Sequence, residues 1–303
     1  MLAHNLLLRS ELERVDQLFR QEGIEWIVLK GLPLAQRVYG SLARRFCVDN
    51  DILVRRQDVE RAAKALHSLG YHGASGRALA EDLAATFQHP MRRVTQSELT
   101  ARLELHWNAF PPHLFRVSED VLWAHVEECA LDKLSVRAFD PLLSLVHLAS
   151  HFVQHRCAEP RILRDFGLAL SHWRDAIAPA ALEALAVQTG TRTTVAFAML
   201  AARRLQLTAV EPLFHDSRAR AILQLIGPSA LREAGEPTYS RMGLSLLLSA
   251  PQRWAPALGY ELFPPLSTLA RITQRPASRR LYSSYFPRLA RACAKALRGS
   301  RPG

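Results

Sequence analysis

The chain has 303 residues, 49% hydrophobic and 22% charged, which is enough to bury one large core or two modest ones. No apolar run approaches the roughly 20 residues of a membrane-spanning helix. The opening Met1-Leu2-Ala3-His4-Asn5 lacks the layout of a signal peptide, so a cytoplasmic protein is expected. Cys47, Cys129, Cys157 and Cys293 are scattered without a C-x-x-C pair, which argues against a disulfide framework or a zinc ribbon and for reduced, buried thiols. The net charge of +11 is uneven, with nine Lys or Arg and no acidic residue from Arg271 to the end. Such a tail attracts nucleic acid, acidic peptide, lipid or nucleotide phosphate, and equally fits a solvated basic helix.

In chain order, Leu6–Gln21 carries apolar residues at helical spacing and stops at Gly23. Ile24–Leu29 is continuously apolar, as a central strand is. Lys30-Gly31 then forms a turn, with Pro33 in the first turn of a helix running toward Tyr39. A helix start here offers N–H groups to a phosphate, and Lys30 is either a point charge on that phosphate or a solvated residue at the strand end.

Val48–Val54 follows as a second strand. Its period of two puts Asp49 and Asp51 on one face, about 6–7 Å apart, while Val48, Ile52 and Val54 are free to be buried. Two carboxylates so close repel each other unless a cation stands between them, and hard oxygen ligands suit Mg2+ or Mn2+ held together with substrate phosphates. Metal-assisted phosphoryl or nucleotidyl transfer needs this arrangement. Asp58–Leu69 reads as a helix capped by Gly70, and 79–87 as a short helix. Strands are expected at Met91–Thr95 and Thr100–Trp107, joined by a turn at Gln96-Ser97-Glu98. In the second of these, Arg102, Glu104 and His106 share a face opposite Leu103, Leu105 and Trp107. Glu104 is placed either to complete a carboxylate triad or to face solvent. His106 is a general base, a substrate contact or a structural hydrogen-bonding group.

The ordered set Leu29-Lys30-Gly31, Tyr39, Arg45, Asp49-Asn50-Asp51-Ile52-Leu53-Val54, Gly70-Tyr71 and Glu104-Leu105-His106-Trp107 resembles the nucleotidyltransferase superfamily with a polymerase-β-like core. In particular it resembles a group of uncharacterised bacterial nucleotidyltransferases. The resemblance continues through Leu148, His151 and Arg161–Asp165. It departs from the superfamily pattern in the first turn, where Lys30-Gly31 replaces Gly-Ser.

What the resemblance implies is an α/β core with a mixed sheet over residues 1–139, followed by an all-helical domain over 140–303. Asp49, Asp51 and Glu104 would hold Mg2+ or Mn2+, with an NTP, ATP by default, as co-substrate. Lys30, Gly31 and Arg45 would position the triphosphate, Arg45 alternatively orienting the Asp pair. The acceptor, a peptide, glycan or small molecule, is not readable from these residues, although similar chains occur among enzymes that tailor peptide natural products and polysaccharides. Two other classes stay open: a nucleotide- or partner-binding module without catalysis, and a nucleic-acid-binding protein that uses the basic tail.

After Leu134–Phe139 the texture turns helical, at Leu142–His155, Pro160–Trp173, Pro179–Gly190, Thr193–Leu205 and Ser217–Ile226. His147, His151 and His155 form a stripe along one helix, but without an H-E-x-x-H acid they read as a buried or cleft-lining face. Arg161, Arg164 and Asp165 are charges on an apolar helix, and Asp165 either bridges to an arginine or contacts base, ribose or acceptor. Pro228–Pro237 reads as a loop, and Leu281–Leu297 as a basic amphipathic segment suited to a membrane surface, a partner or its own protein.

Overall fold

A computed structural model of the protein describes residues 1–73, 79–95, 98–226, 231–232, 239–273, 278–287 and 290. The loop expected at 228–237 apart from 231 and 232, the Gln96-Ser97 part of the turn, Cys293 and the basic residues beyond 290 lie outside the described residues. The chain folds as two compact units, one formed by Met1–Ala109 with Ser118–Ser144, the other by Phe110–Val117 with the described residues from 145 onward.

The first unit opens with α1 (Leu2–Glu22). Leu8, Leu12, Val15 and Phe19 fall at helical spacing on one face and are fully buried. Gly23, at φ 62°, ends the helix in the left-handed conformation, and Ile24 N–H closes back on the Phe19 carbonyl at 2.8 Å. The chain continues through β1 (Trp26–Val28), α2 (Leu32–Arg37), β2 (Asn50–Val54), α3 (Val59–Ser68), β3 (His72–Gly73), α4 (Leu79–Ala85), β4 (Gln88–Val94) and β5 (Thr100–His106). It then adds α5 (Glu119–Ala124), β6 (Val126–Leu131) and β7 (Leu134–Phe139). These strands make one mixed seven-stranded sheet in the order β3-β4-β5-β2-β1-β7-β6. β1 pairs antiparallel with β2 and parallel with β7, and β2 pairs parallel with β5. Every residue of β1 and β2 is buried, as suits the middle of a sheet.

The β2–β5 register sets Asp51 opposite Glu104 and Leu53 opposite His106. Ile52, Val54, Leu103 and Leu105 turn the other way, into a core with the α1 stripe and with Ala62 and Leu66 of α3. One polar residue pins this frame. Asn5, fully buried on α1, donates to the carbonyls of Leu42 and Arg45, each at 2.6 Å, and accepts from Cys47 N–H at 3.1 Å. The irregular segment leading into β2 is therefore fastened to the first helix. Replacing Asn5 by Ala strands one buried and one half-buried carbonyl and one N–H, and will cost about 2–4 kcal/mol by chemical denaturation.

Several elements differ from the sequence reading, and β3 and α5 were not anticipated. β6 was not anticipated because only Cys129 and Leu131 of it are buried; it is an edge strand with acidic residues where apolar ones would announce a strand. β4 begins at Gln88, ahead of the expected Met91, although Pro90 lacks the N–H of an interior strand residue. Among the described residues, β3 pairs with Met91 and Arg92 on the far side of Pro90. Asp49 lies one residue before β2 rather than inside it.

In the second unit, α7 (Pro160–His172), α8 (Pro179–Gln188), α9 (Arg192–Arg204) and α10 (Ser217–Leu225) fall within a residue or two of their expected spans, after α6 (Pro141–Gln154), which leads into this unit. Asp216 caps α10 by accepting from Ala219 N–H at 2.8 Å. Shorter helices follow at Tyr239–Leu248, Trp254–Leu262 and Leu266–Thr273, and Leu281 and Tyr285 pack with Leu269 and Ala270. No strand occurs after β7 among the described residues, and none of their helices is long and apolar enough to cross a membrane. Cys47, Cys129 and Cys157 are buried.

Candidate active site

The site begins at the turn after β1. Leu29 N–H donates to the Asp51 carbonyl at 3.0 Å, which carries the antiparallel pairing one residue beyond the strand. Gly31 then takes φ 64° and ψ −115°, a region that side chains other than hydrogen rarely enter. A Cβ there would also stand 3.6 Å from the Asp49 carbonyl oxygen. The Gly31 carbonyl accepts from Ala35 N–H at 3.0 Å and from Arg45 Nη1 at 3.3 Å, and the same Arg45 nitrogen lies 3.4 Å from Cys47 Sγ. Arg45 thus ties the turn to the segment before β2. The helix that follows, α2, has six residues and a proline at its second position, so it offers an anion fewer N–H groups and a weaker dipole than a long helix would.

Period-two alternation brings the charged side chains to the same face of the neighbouring parallel strands β2 and β5. Asp51, 2% exposed, accepts on Oδ2 from the Lys30 ammonium. His106 Nε2 lies 3.2 Å from Asp51 Oδ1 and 3.4 Å from Glu104 Oε2. Gln88, across the β4–β5 ladder, donates to Glu104 Oε2 at 2.8 Å. The other ring nitrogen of His106, Nδ1, lies 3.4 Å from the Asn108 carbonyl oxygen.

Electrostatics separates the two aspartates. Burial pushes both upward, but the Lys30 ammonium and the His106 hydrogen bond hold Asp51 well below the usual carboxylate range. Asp49 is raised to about 7, by burial first and then by the negative charge of Asp51. Burial works to lower Lys30 and His106; the facing carboxylates outweigh it, raising Lys30 and lifting His106 to about 9. Three carboxylates therefore face one ammonium and one imidazole, and Asp49 is the group that holds a proton near neutrality.

Lys30, Asp49, Asp51, Glu104 and His106 come together in this cluster, with Gly31 and Arg45 at the turn beside it. Asp165 belongs to the other unit, buried at 5% exposure on α7. The stripe of His147, His151 and His155 has ring centroids 6.0 and 4.5 Å apart, with His147 buried against Phe110. Among the described residues, the side chains that could jointly hold a metal ion are those of Asp51, Glu104 and His106, whose ligand atoms all lie within 4.8 Å of one another. Two carboxylates and an imidazole fit a divalent ion in charge and donor type. Gln88 and Asn108, which orient Glu104 and His106, were missed in the sequence. Gln88 was readable in principle, since extending β4 back past Pro90 sets it opposite His106.

A mixed sheet whose central parallel pair presents an aspartate strand and a glutamate strand beside a glycine turn is an α/β nucleotidyltransferase core. The chain belongs to a nucleotidyltransferase family: residues 1–206 match the family described as "uncharacterised nucleotidyltransferase". It is accordingly a transferase of phosphorus-containing groups. No curated protein matches the chain.

Proposed function

We propose that the protein transfers a nucleoside monophosphate from an NTP, ATP by default, to a hydroxyl, amine or phosphate of an acceptor and releases pyrophosphate. The acceptor atom attacks the α-phosphorus, the bond to the pyrophosphate oxygen breaks, and the acceptor proton departs. The observation that carries this reading is the β2–β5 register, which sets Asp51 against Glu104 with Lys30 and His106 in contact.

Asp51 and Glu104, with Asp49 beside them, would hold Mg2+ or Mn2+. A bound divalent ion would neutralise the triphosphate and make the acceptor oxygen easier to deprotonate. Lys30 and Arg45 place positive charge where phosphate oxygens arrive, and Gly31 lets the backbone approach closely. Catalysis in this reading is mostly placement and charge compensation. We assign the chemistry to residues 1–139 and acceptor or partner contacts, Asp165 included, to 140–303. We favour a bacterial, cytoplasmic enzyme with a peptide or glycan as its acceptor.

One observation favours a second reading. Lys30 already neutralises Asp51, as it would in a nucleotide-binding module without turnover. Incubating the protein with each of the four NTPs and Mg2+ or Mn2+ separates the two. Metal-dependent pyrophosphate release with one nucleotide, together with a matching mass gain on an acceptor or on the protein itself, is the expected result. Tight nucleotide binding without release, across a panel of peptide and glycan acceptors, would favour the binding module.

A further inference from the structure

Three ligand atoms converge at the β2–β5 pair. His106 Nε2 stands 3.2 Å from Asp51 Oδ1 and 3.4 Å from Glu104 Oε2, and one ligand atom from each of the three residues lies within 4.8 Å of the other two. On the far side of the ring, Nδ1 faces the Asn108 carbonyl at 3.4 Å. A carbonyl oxygen only accepts, so Nδ1 carries a proton and Nε2 is the nitrogen turned to the carboxylates. A bare ring nitrogen and two carboxylate oxygens repel one another, and the arrangement calls for positive charge at its centre. A proton on Nε2 meets that need, and so does a divalent ion.

The two His106–carboxylate spacings suit the ion. Neighbouring ligands with bonds of about 2.1 Å stand about 3.0 Å apart in an octahedral shell and about 3.4 Å in a tetrahedral one. Lys30 holds the other oxygen of Asp51, Oδ2, and leaves Oδ1 directed at this point. Gln88 steadies Glu104 by donating to it at 2.8 Å, and Asn108 steadies the imidazole, as partners behind a metal's ligands commonly do.

We propose that His106 is a direct nitrogen ligand of the divalent ion, completing a set with Asp51 and Glu104, and that the site takes Mn2+ or a later first-row ion in preference to Mg2+. This rests on the nucleotidyltransferase reading above. Mg2+ holds to oxygen ligands, whereas imidazole is an ordinary donor to first-row ions, so one nitrogen in the set tilts the selection.

The test is a Mn2+ titration of the full chain, free of nucleotide, followed by electron paramagnetic resonance. Bound Mn2+ is expected to show the nitrogen modulation of a directly bonded imidazole, and Mg2+ should displace it only at an excess of at least about 100-fold. His106→Gln should lose the nitrogen signal and weaken Mn2+ at least about tenfold while moving Mg2+ affinity less than about threefold. If that variant does not fold, the wild-type spectrum decides alone. Mn2+ bound without nitrogen modulation would overturn the proposal and leave the nucleotidyltransferase reading standing on its carboxylates. Nitrogen modulation that persists in His106→Gln puts the ion elsewhere and also overturns it. Absence of Mn2+ binding with or without ATP would count against both.

Discussion

Asp51→Asn will reduce metal-dependent pyrophosphate release by at least about a thousandfold, measured with whichever nucleotide the donor screen selects. The substitution keeps the shape of the side chain and removes its charge. Both partners of Asp51 then lose what they face: the Lys30 ammonium and the His106 imidazole are left in a buried cluster without the carboxylate that offsets them. Breaking a buried ion pair from one side costs about 3–5 kcal/mol, so the variant will also melt earlier. The activity loss must be read well below that transition. A second change separates the two effects. Lys30→Met in the Asp51→Asn background removes the stranded ammonium and should recover part of the stability while the activity stays lost. A folded Asp51→Asn protein that turns over within about tenfold of the parent would sink the assignment of this cluster.

Asp49→Asn carries the second large effect, and it is visible without substrate. In the folded chain Asp49 holds its proton up to about pH 7, whereas an unfolded aspartate releases it near about 4. Between those values the native state binds the extra proton, so the contribution of this group to stability falls as pH rises through the window. Above about pH 7 the folded protein confines an ionised Asp49 beside Asp51, and the uncharged amide of the variant relieves that repulsion. In metal-free buffer the variant should therefore be about 1–2 kcal/mol more stable than the parent at about pH 8 and nearly equal to it at about pH 5. His106, raised to about 9, contributes stability that is fully present below about 6.5 and is lost as pH passes 9. Parallel denaturation midpoints at the two pH values would remove Asp49 from the coupled cluster. The same variant should lose activity, since a group that costs stability for its position is the usual mark of a working site.

Much of this was legible in the chain because period-two alternation is strong where large apolar residues flank the charges. Ile52 and Val54 around Asp51, and Leu103 and Leu105 around Glu104, fix which way those carboxylates point before any partner strand is known. Alternation says nothing about which strand lies beside which. The pairing of Asp51 with Glu104, and the approach of Lys30 to Asp51 rather than to solvent, follow from register and turn geometry that depend on the whole sheet. Pro90 hid the start of β4 and with it Gln88. The acidic edge strand β6 was not anticipated, because an edge needs to bury only alternate side chains on one face. The helices between Pro160 and Leu225 were readable to within a residue or two because their apolar spacing is regular and their ends carry Pro, Gly or polar breaks. Asp165 entered the candidate set through the resemblance at Arg161–Asp165 and its charge on an apolar helix, and it lies in the other unit.

The hairpin β4–β5 joins strands close in sequence, whereas β2–β5 joins segments on either side of α3 and α4. A local hairpin closes a short loop; the parallel pair closes a long one, at a larger entropic cost. Glu104, Gln88 and His106 can thus be organised on one ribbon while Lys30 and Asp51 are organised on another. Only when the two ribbons join does the cluster exist. A chain still being made, or one cut before β5, carries a lysine–aspartate pair and nothing that could engage a nucleotide, so the chemistry is withheld until the sheet is whole.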